Sequence, residues 1–285
     1  MRGPMTQPRP SRLRSRWSTA SIYAALVTGA VLTLAPFLLS AMTSLKSAQQ
    51  LAHEPSLALP APVTLDSYRS LFSEHSFVTP LAVTAQVTLI VLVVQLSCSI
   101  LAAYAFARLT FPGRDLLFWV YLATMMIPQV ATLVPLYSIM VSAGLRNTFW
   151  GIVLPTLFGS PYAVFLLREY FRGIPEDIVS AARIDGCGPV RVLRFVVLPM
   201  SRPIIATLTV ITIVAQWNNF LWPRVITSGE QWQVLTVATA ALQSQFNGNW
   251  TLVTAATTVA LLPLIVLYLL CQRQIVSSIS LTGFK

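Results

Sequence analysis

Six apolar stretches, each long enough to cross a lipid bilayer, make up most of this chain. A membrane-spanning helix needs roughly 20 apolar residues, because each residue rises about 1.5 Å and the hydrocarbon core is about 30 Å thick. Only 10% of the residues are charged, whereas soluble domains carry about 25%. The sequence therefore predicts an all-α, polytopic membrane protein with six transmembrane helices near Ser18–Leu45, Thr79–Ala107, Leu116–Val141, Thr148–Leu167, Pro203–Trp222 and Thr251–Gln272.

The basic residues predict the orientation of these spans. If the N-terminus is cytoplasmic, 15 of the 19 lysines and arginines fall on the cytoplasmic side, and Lys46, Arg69, Arg146 and Arg224 lie outside. Cytoplasmic loops are enriched in Lys and Arg, so we expect both termini in the cytoplasm. This gives a flexible basic N-terminus (1–17), a first transmembrane helix (18–45), an extracytoplasmic loop of extended appearance (46–78), a transmembrane core (79–273) with a cytoplasmic loop (172–202), and a cytoplasmic tail (274–285).

Several functional classes are disfavoured by what the sequence lacks. The net charge is +10, but the arginines sit in short loops without interleaved aromatic residues, so we expect no nucleic-acid partner. Motifs for nucleotide binding, hydrolysis or metal binding are also missing. The spans hold almost no ionisable groups, which disfavours an ion-coupled transporter, and no filter motif suggests a channel.

Prolines interrupt several of the predicted spans. Two interpretations are open: ordinary kinks, which are common in membrane helices, or broken helices that line a passage. In the third span, the second interpretation rests on the proline-containing segment MMIPQVATLVP, residues 125–135.

The loop between the fourth and fifth spans contains the segment IPEDIVSAARIDGCGP, residues 174–189. Pro175, Glu176 and Asp177 favour a helix start, Gly186 permits a tight exit, and Pro189 can begin a second short helix. A short helix with two alanines can fit closely into a groove of another protein. The alternative is a plain connecting loop whose arginines lie at the lipid head groups.

This loop resembles the EAA loop of permease subunits in binding-protein-dependent ABC importers. In that pattern Glu-Ala-Ala is followed after three residues by Gly, and after nine more by Ile, one residue and Leu-Pro. Here Ala181-Ala182, Gly186, Val196 and Leu198-Pro199 have that spacing, with Ser180 in the glutamate position. Other segments resemble the MalG-like subunits of carbohydrate importers, namely LDSYRSLF (65–72), AAYAFARLTFPGRDLLF (102–118), GLRNTFWGIVLP (144–155) and QWNNFLWP (216–223).

The resemblance implies a type I (MetI-like) permease fold in a bacterial plasma or inner membrane. It implies a translocation subunit for a sugar or polyol and not an enzyme, with no cofactor in this chain and with ATP and Mg held by two partner ATPase subunits. A second permease, usually a different chain, and an extracytoplasmic binding protein complete the expected assembly. Alternatives are a glycerol-3-phosphate or glycerophosphodiester importer, or a stand-alone transporter or channel.

Three groups of candidate site residues follow. The resemblance places the joint with the ATPase at Ser180, Ala181, Ala182, Arg183, Asp185 and Gly186. Aromatic and neutral polar groups suit a sugar pathway, although Trp217 and its neighbours are equally explained as packing residues. The pathway candidates are Gln129, Trp217, Asn218 and Asn219, and the candidates for contact with the binding protein are Gln243, Gln245, Asn247 and Asn249.

Overall fold

The computed structural model describes residues 12–55, 57–245 and 249–282, and all elements in these ranges are helical. A 3₁₀ turn spans Thr124–Met126 and a π-helical turn spans Leu193–Val197. The α-helices are α1 (Arg12–Ser44), α2 (Ala48–His53), α3 (Asp66–Ser73), α4 (Val78–Arg108), α5 (Arg114–Ala123), α6 (Gln129–Ser142), α7 (Phe149–Leu157), α8 (Pro161–Arg172), α9 (Glu176–Ile184), α10 (Pro189–Val192), α11 (Leu198–Met200), α12 (Arg202–Trp217), α13 (Leu221–Ile226), α14 (Leu235–Gln245) and α15 (Trp250–Thr282).

Five segments are long and apolar enough to cross a membrane, and a bent helix pair is a sixth candidate. This confirms the prediction of an all-α polytopic membrane protein. The five segments are Thr19–Ser44, Val78–Arg108, Phe149–Arg172, Arg202–Ile226 and Trp250–Gln272.

The predicted third span is two helices and not one. The pair formed by α5 with its 3₁₀ turn and α6 bends by 99°, with Ile127 and Pro128 in extended conformations at the bend. Proline disfavours helical conformation in the residue before it and cannot donate a backbone hydrogen bond. Of the two interpretations of the prolines, the broken helix describes this span.

The fourth span is also interrupted, between α7 and α8. Gly159 has a φ of +42°, which ends the first helix, and Pro161 begins the second after the Ser160 cap. The break leaves backbone groups without helical partners, and α4 supplies them: Gln95 Nε2 donates to the Thr156 carbonyl at 2.7 Å, and Ser99 Oγ accepts from the Ser160 N–H at 3.1 Å.

Two boundaries at the N-terminal end differ from the predictions. Helix α1 begins at Arg12, so residues 12–17 are helical; Pro10 is the last proline before them, and arginine is a good helix former. The predicted extended loop 46–78 contains α2 and α3. Helix α2 begins where Ser47 accepts from the Gln50 N–H as an N-cap. Residues 1–11 of the predicted N-terminus lie outside the described residues.

Helix α4 is the central element, and it contacts α7, α8, α12 and α14. Its buried residues contribute to two apolar clusters. One cluster joins α4 to α7, α13 and α14, and the other joins α4 to α8 and the loop 172–202. Thr84 of α4 also accepts the Leu235 N–H at 2.7 Å and so caps the first residue of α14. Helix α14 therefore packs into the core through Leu235, Val237, Ala238 and Leu242.

Candidate functional site

Helix α9 lies in the first half of the loop 172–202 and ends in a well-defined motif. Gly186 has a φ of +81°; its N–H donates to the Arg183 carbonyl, and the Cys187 N–H donates to the Ala182 carbonyl, both at 3.0 Å. This pair of bonds is the Schellman motif, in which a left-handed glycine satisfies the last carbonyls of a helix. The predicted tight exit at Gly186 is present, and Pro189 begins α10 as expected.

The two sides of α9 differ in exposure. Val179 is fully buried, and Ala182 packs against the apolar cluster that includes residues of α4, of α8 and of the segment 192–197. Ile178, Ala181 and Ile184 are exposed, with Ile184 at 87% of its full surface. Residues three apart share one side of a helix. The exposed side of α9 is therefore an apolar stripe, which we call the α9 stripe (Ile178, Ala181, Ile184).

Arg108, the last residue of α4, holds the base of α9. Its Nη2 donates to the Phe171 carbonyl at 2.6 Å and also to the Ile174 carbonyl, and its Nη1 pairs with Glu176, the first residue of α9. The Arg108 side chain is only 7% exposed. Arg183 reaches the same Glu176 carboxylate at 3.4 Å. The ends of α4 and α8 and the start of α9 are thus joined by one guanidinium group.

A second arginine stabilises the same end of α8. Arg168 lies 4.0 Å from the centre of the Phe118 ring and pairs with Glu169 at 2.7 Å. Its Nη2 is 3.7 Å from Asp115 of α5. These contacts connect α5 to α8, so the loop rises from a braced group of helix ends.

The six predicted coupling residues lie together on α9 and its exit. Ala181, Arg183, Asp185 and Gly186 are exposed, whereas Ser180 and Ala182 are half-buried. Ser180, which occupies the glutamate position of the family pattern, has no ion pair to make. The glutamate that does pair in this helix is Glu176.

The predicted pathway residues are not all in one place. Trp217 is buried, and its indole N–H donates to the Ala260 carbonyl of α15 at 3.0 Å. Asn218 is exposed but turns back to the Val214 carbonyl, and the Asn219 carbonyl accepts from Thr236. Gln129 is exposed at the start of α6, and no hydrogen bond among the described residues joins it to the other three.

The predicted binding-protein contacts surround the end of α14. Gln243 is exposed, and Gln245 is the last residue of α14, with its side chain outside the description. Asn249 is the N-cap of α15, because its Oδ1 accepts from the Leu252 N–H at 3.2 Å. Asn247 lies outside the described residues.

Sequence reasoning missed the polar residues of α4 that join helices. Gln95 and Ser99 are four residues apart and therefore share a helix face, and Arg108 directly follows the apolar run. Two polar residues with helical spacing in an apolar span indicate a contact with a neighbouring helix, but the spacing does not identify the partner.

Comparisons with known proteins agree with this architecture. The family model described as "Binding-protein-dependent transport system inner membrane component" matches residues 95–281. The diacetylchitobiose uptake system permease protein NgcG of Streptomyces coelicolor is 31% identical over 270 residues, which are 92% of this chain and 88% of that protein.

Two further matches cover most of the chain. The sn-glycerol-3-phosphate transport system permease protein UgpE of Yersinia pestis is 36% identical over 207 residues, which are 71% of this chain and 69% of that protein. A chain of a bacterial ABC transporter involved in the import of the acidic polysaccharide alginate has a TM-score of 0.81 at 23% identity, covering 94% of this chain and 99% of that one. At that identity the structural match shows the fold. Since the family model spans more than half of its residues, the chain belongs to the family of binding-protein-dependent transport system inner membrane components.

Proposed function

We propose that this chain is the translocation subunit of a sugar importer that is driven by ATP hydrolysis in partner subunits. The observation that carries the proposal is the α9 stripe, an exposed apolar surface at the tip of a rigidly held loop. An exposed apolar stripe is typical of a surface that a partner covers, and the acidic residues beside this one favour a protein over anionic lipid. A groove of an ATPase subunit is the occupant that the family implies.

The geometry explains how motion can pass from such a partner to the membrane helices. Glu176 and Arg108 connect α9 to α4, and the carbonyls of Phe171 and Ile174 connect Arg108 to the end of α8. A displacement of α9 therefore acts on two spans together. ATP binding shifts the equilibrium between inward-open and outward-open states only if α9 docks with different free energy in the two states.

The proposed topology follows from the charge distribution. Family membership and the apolar helices make the chain a multi-pass inner-membrane protein. The proposal adds that both termini and α9 are cytoplasmic, as the positive residues indicate. The end of α14 and the start of α15 then face the extracytoplasmic side, where Gln243 and Asn249 would meet a binding protein.

The proposed cargo is a neutral sugar. The NgcG relative is named for the uptake of diacetylchitobiose, and the pathway candidates Gln129, Asn218 and Asn219 offer neutral hydrogen-bonding groups. Trp217 contributes differently, since its N–H is already used within the chain. We assign Trp217 to holding α12 against α15, and the exposed Gln129 and Asn218 to the passage.

The test is purification of the tagged chain from its native membrane in mild detergent, followed by mass spectrometry of the proteins recovered. We expect an ATPase subunit, a second permease and a binding protein. The variant Ala181→Arg, in the α9 stripe, should lose the ATPase. Thr110→Arg, at an exposed residue near the same end of α4, should retain it. Recovery of a stable chain without an ATPase would overturn the proposal.

Glycerol-3-phosphate is a second candidate cargo, because the UgpE relative is named for its transport and is 36% identical. An anionic cargo needs a cation near the passage, and Arg224 is exposed in α13. The recovered binding protein distinguishes the two candidates by calorimetric titration with glycerol-3-phosphate and with diacetylchitobiose. Uptake of glycerol-3-phosphate that falls in Arg224→Gln would favour the phosphate.

A further inference from the structure

The second half of the loop, residues 189–202, has an exposed face that α9 does not share. Its exposed residues come in short groups at 189–191, 194–195, 199–200 and 202, and Val192, Leu193, Val197 and Ser201 are buried between these groups. Val190 is 76% exposed and Phe195 is 65% exposed. We call this surface the basic–apolar face, and its members are Val190, Arg191, Arg194, Phe195, Met200 and Arg202.

The π-helical turn keeps this face continuous. Leu198 N–H donates to the Leu193 carbonyl, five residues earlier, so the turn contains one more residue than an α-helical turn. The exposed pair at 190–191 is followed by one at 194–195, four residues later, and then by one at 199–200, five residues later. With α-helical spacing alone, the last pair would rotate away from the first two.

The arginines of this face have no carboxylate partner. None of the ion pairs among the described residues includes Arg191, Arg194 or Arg202. Five other arginines whose side chains the structure describes at this end of the molecule do pair: Arg108, Arg114, Arg168, Arg172 and Arg183 each contact an Asp or Glu. Three unpaired positive charges beside exposed apolar side chains indicate an anionic partner that also has an apolar part.

We propose that the basic–apolar face binds anionic phospholipids of the cytoplasmic leaflet. Arg202 begins the span Arg202–Ile226, which places this end of the face at the depth of the head groups. Arginine matches phosphate oxygens with two parallel hydrogen bonds, while Phe195 and Met200 enter the boundary between head groups and acyl chains. Arg194 lies 5.5 Å from the centre of the Phe195 ring, so the charge and the aromatic wedge act at one point.

The two halves of the loop then have different partners. The α9 stripe is flanked by the acidic residues Asp177 and Asp185, which would repel anionic lipid, and by Arg183. The basic–apolar face carries arginines and no acid. The inference rests on the proposed function for its orientation, because anionic lipids of the cytoplasmic leaflet meet this face only if the loop is cytoplasmic.

The experiment measures lipid binding by the intact assembly of permeases and ATPases in detergent. Native mass spectrometry at increasing phosphatidylglycerol, with phosphatidylcholine as the reference lipid, gives an apparent affinity for each variant. We expect Arg194→Gln to weaken phosphatidylglycerol binding about fivefold, from the contribution of one arginine near an anionic surface. Arg172→Gln is the matched control, since Arg172 is exposed at the same end but is paired with Glu169, and it should bind like the parent.

The triple variant Arg191→Gln, Arg194→Gln and Arg202→Gln gives the decisive comparison. Phosphatidylglycerol binding equal to that of the parent would overturn the inference. Loss of ATPase subunits with unchanged lipid binding would also overturn it and would assign the face to the ATPase. ATP-driven sugar uptake by the parent assembly in liposomes tests the proposed function separately, because its failure leaves the lipid affinities of the variants unaffected.

Discussion

The indole Nε1–H of Trp222 donates a hydrogen bond to the backbone carbonyl of Gly151 at a distance of 3.0 Å. In a regular helix this carbonyl would accept from the residue four positions later, which is Pro155 and has no N–H. The tryptophan of α13 therefore replaces the hydrogen bond that the proline removes from α7. Both groups are buried, so the bond is made where water and lipid cannot provide a substitute.

Trp222→Phe should destabilise the protein by about 1–3 kcal/mol, because it leaves the Gly151 carbonyl buried without a partner. Thermal unfolding of the purified chain in detergent measures the change. Trp150→Phe is the matched control: Trp150 is adjacent to Gly151 in sequence but half exposed, and its replacement should leave the midpoint unchanged. Equal midpoints for the two variants would contradict the assigned role.

Gly151→Ala should also destabilise the chain. A Cβ atom at this position would overlap the Leu145 carbonyl oxygen, which belongs to the backbone and cannot move aside. Gly29→Ala is the comparison, because nothing lies within 4 Å of a Cβ there and alanine is favoured over glycine in a helix by roughly 0.5–1 kcal/mol. The two variants should therefore shift the unfolding midpoint in opposite directions.

Removing the two side chains that bridge the fourth span should weaken it. Gln95→Leu leaves the Thr156 carbonyl without its donor, and Ser99→Ala leaves the Ser160 N–H without its acceptor. We expect about 1–3 kcal/mol for each, read as lower thermal stability and faster proteolysis near residues 158–160. Gln86→Leu makes the same chemical change at an exposed position of α4. If it destabilised the chain as much as Gln95→Leu, the loss would come from the leucine and not from the missing bond.

Replacing the glycine that ends α9 should uncouple ATP hydrolysis from uptake. Gly186→Val places a β-branched residue at a φ of +81°, which L-residues rarely adopt. The exit of α9 must then change shape, so uptake should fall at least about tenfold while the assembly still hydrolyses ATP, if α9 transmits the motion. Gly188→Val is the control, since Gly188 has a φ of −69° and is equally exposed. Normal uptake by Gly186→Val would contradict a role of α9 in coupling ATP hydrolysis to uptake.

Arg108→Lys tests whether α9 is held by shape or by charge alone. Lysine keeps the positive charge beside Glu176 but has no planar fork to reach the Phe171 and Ile174 carbonyls as well. We expect lower uptake with intact subunit recovery, and faster hydrogen exchange at residues 171–176. Arg114→Lys changes a half-buried arginine that pairs with Asp115 and does not contact α9, so it should behave like the parent in hydrogen exchange at residues 171–176.

The sequence was sufficient for the spans and for the parts of the loop that depend on local chemistry. The apolar runs, the glycine at 186 and the proline at 189 each act on their own neighbourhood, so their effects could be predicted without a partner. The 99° bend at Pro128 could be stated only as one of two options, because a proline in a helix permits either a kink or a break.

The roles of Trp222 and Gln95 could not be predicted, because each depends on a backbone group far along the chain. Trp222 hydrogen-bonds Gly151, which is 71 residues away. Gln95 reaches a carbonyl 61 residues later. Such pairings form only when the helices pack against each other. In the sequence, both residues are only single polar positions within apolar stretches.

The hydrogen bonds from α4 to the break in the fourth span also bear on how the protein enters the membrane. At the break between α7 and α8, hydrocarbon cannot satisfy the Thr156 carbonyl or the Ser160 N–H. The hydrogen-bond partners of both groups belong to α4. The fourth span therefore becomes stable in the bilayer only when it lies beside α4. Since α4 precedes the fourth span in the chain, it is synthesised first. The helix that supplies these hydrogen bonds can therefore be in the membrane before the fourth span is inserted.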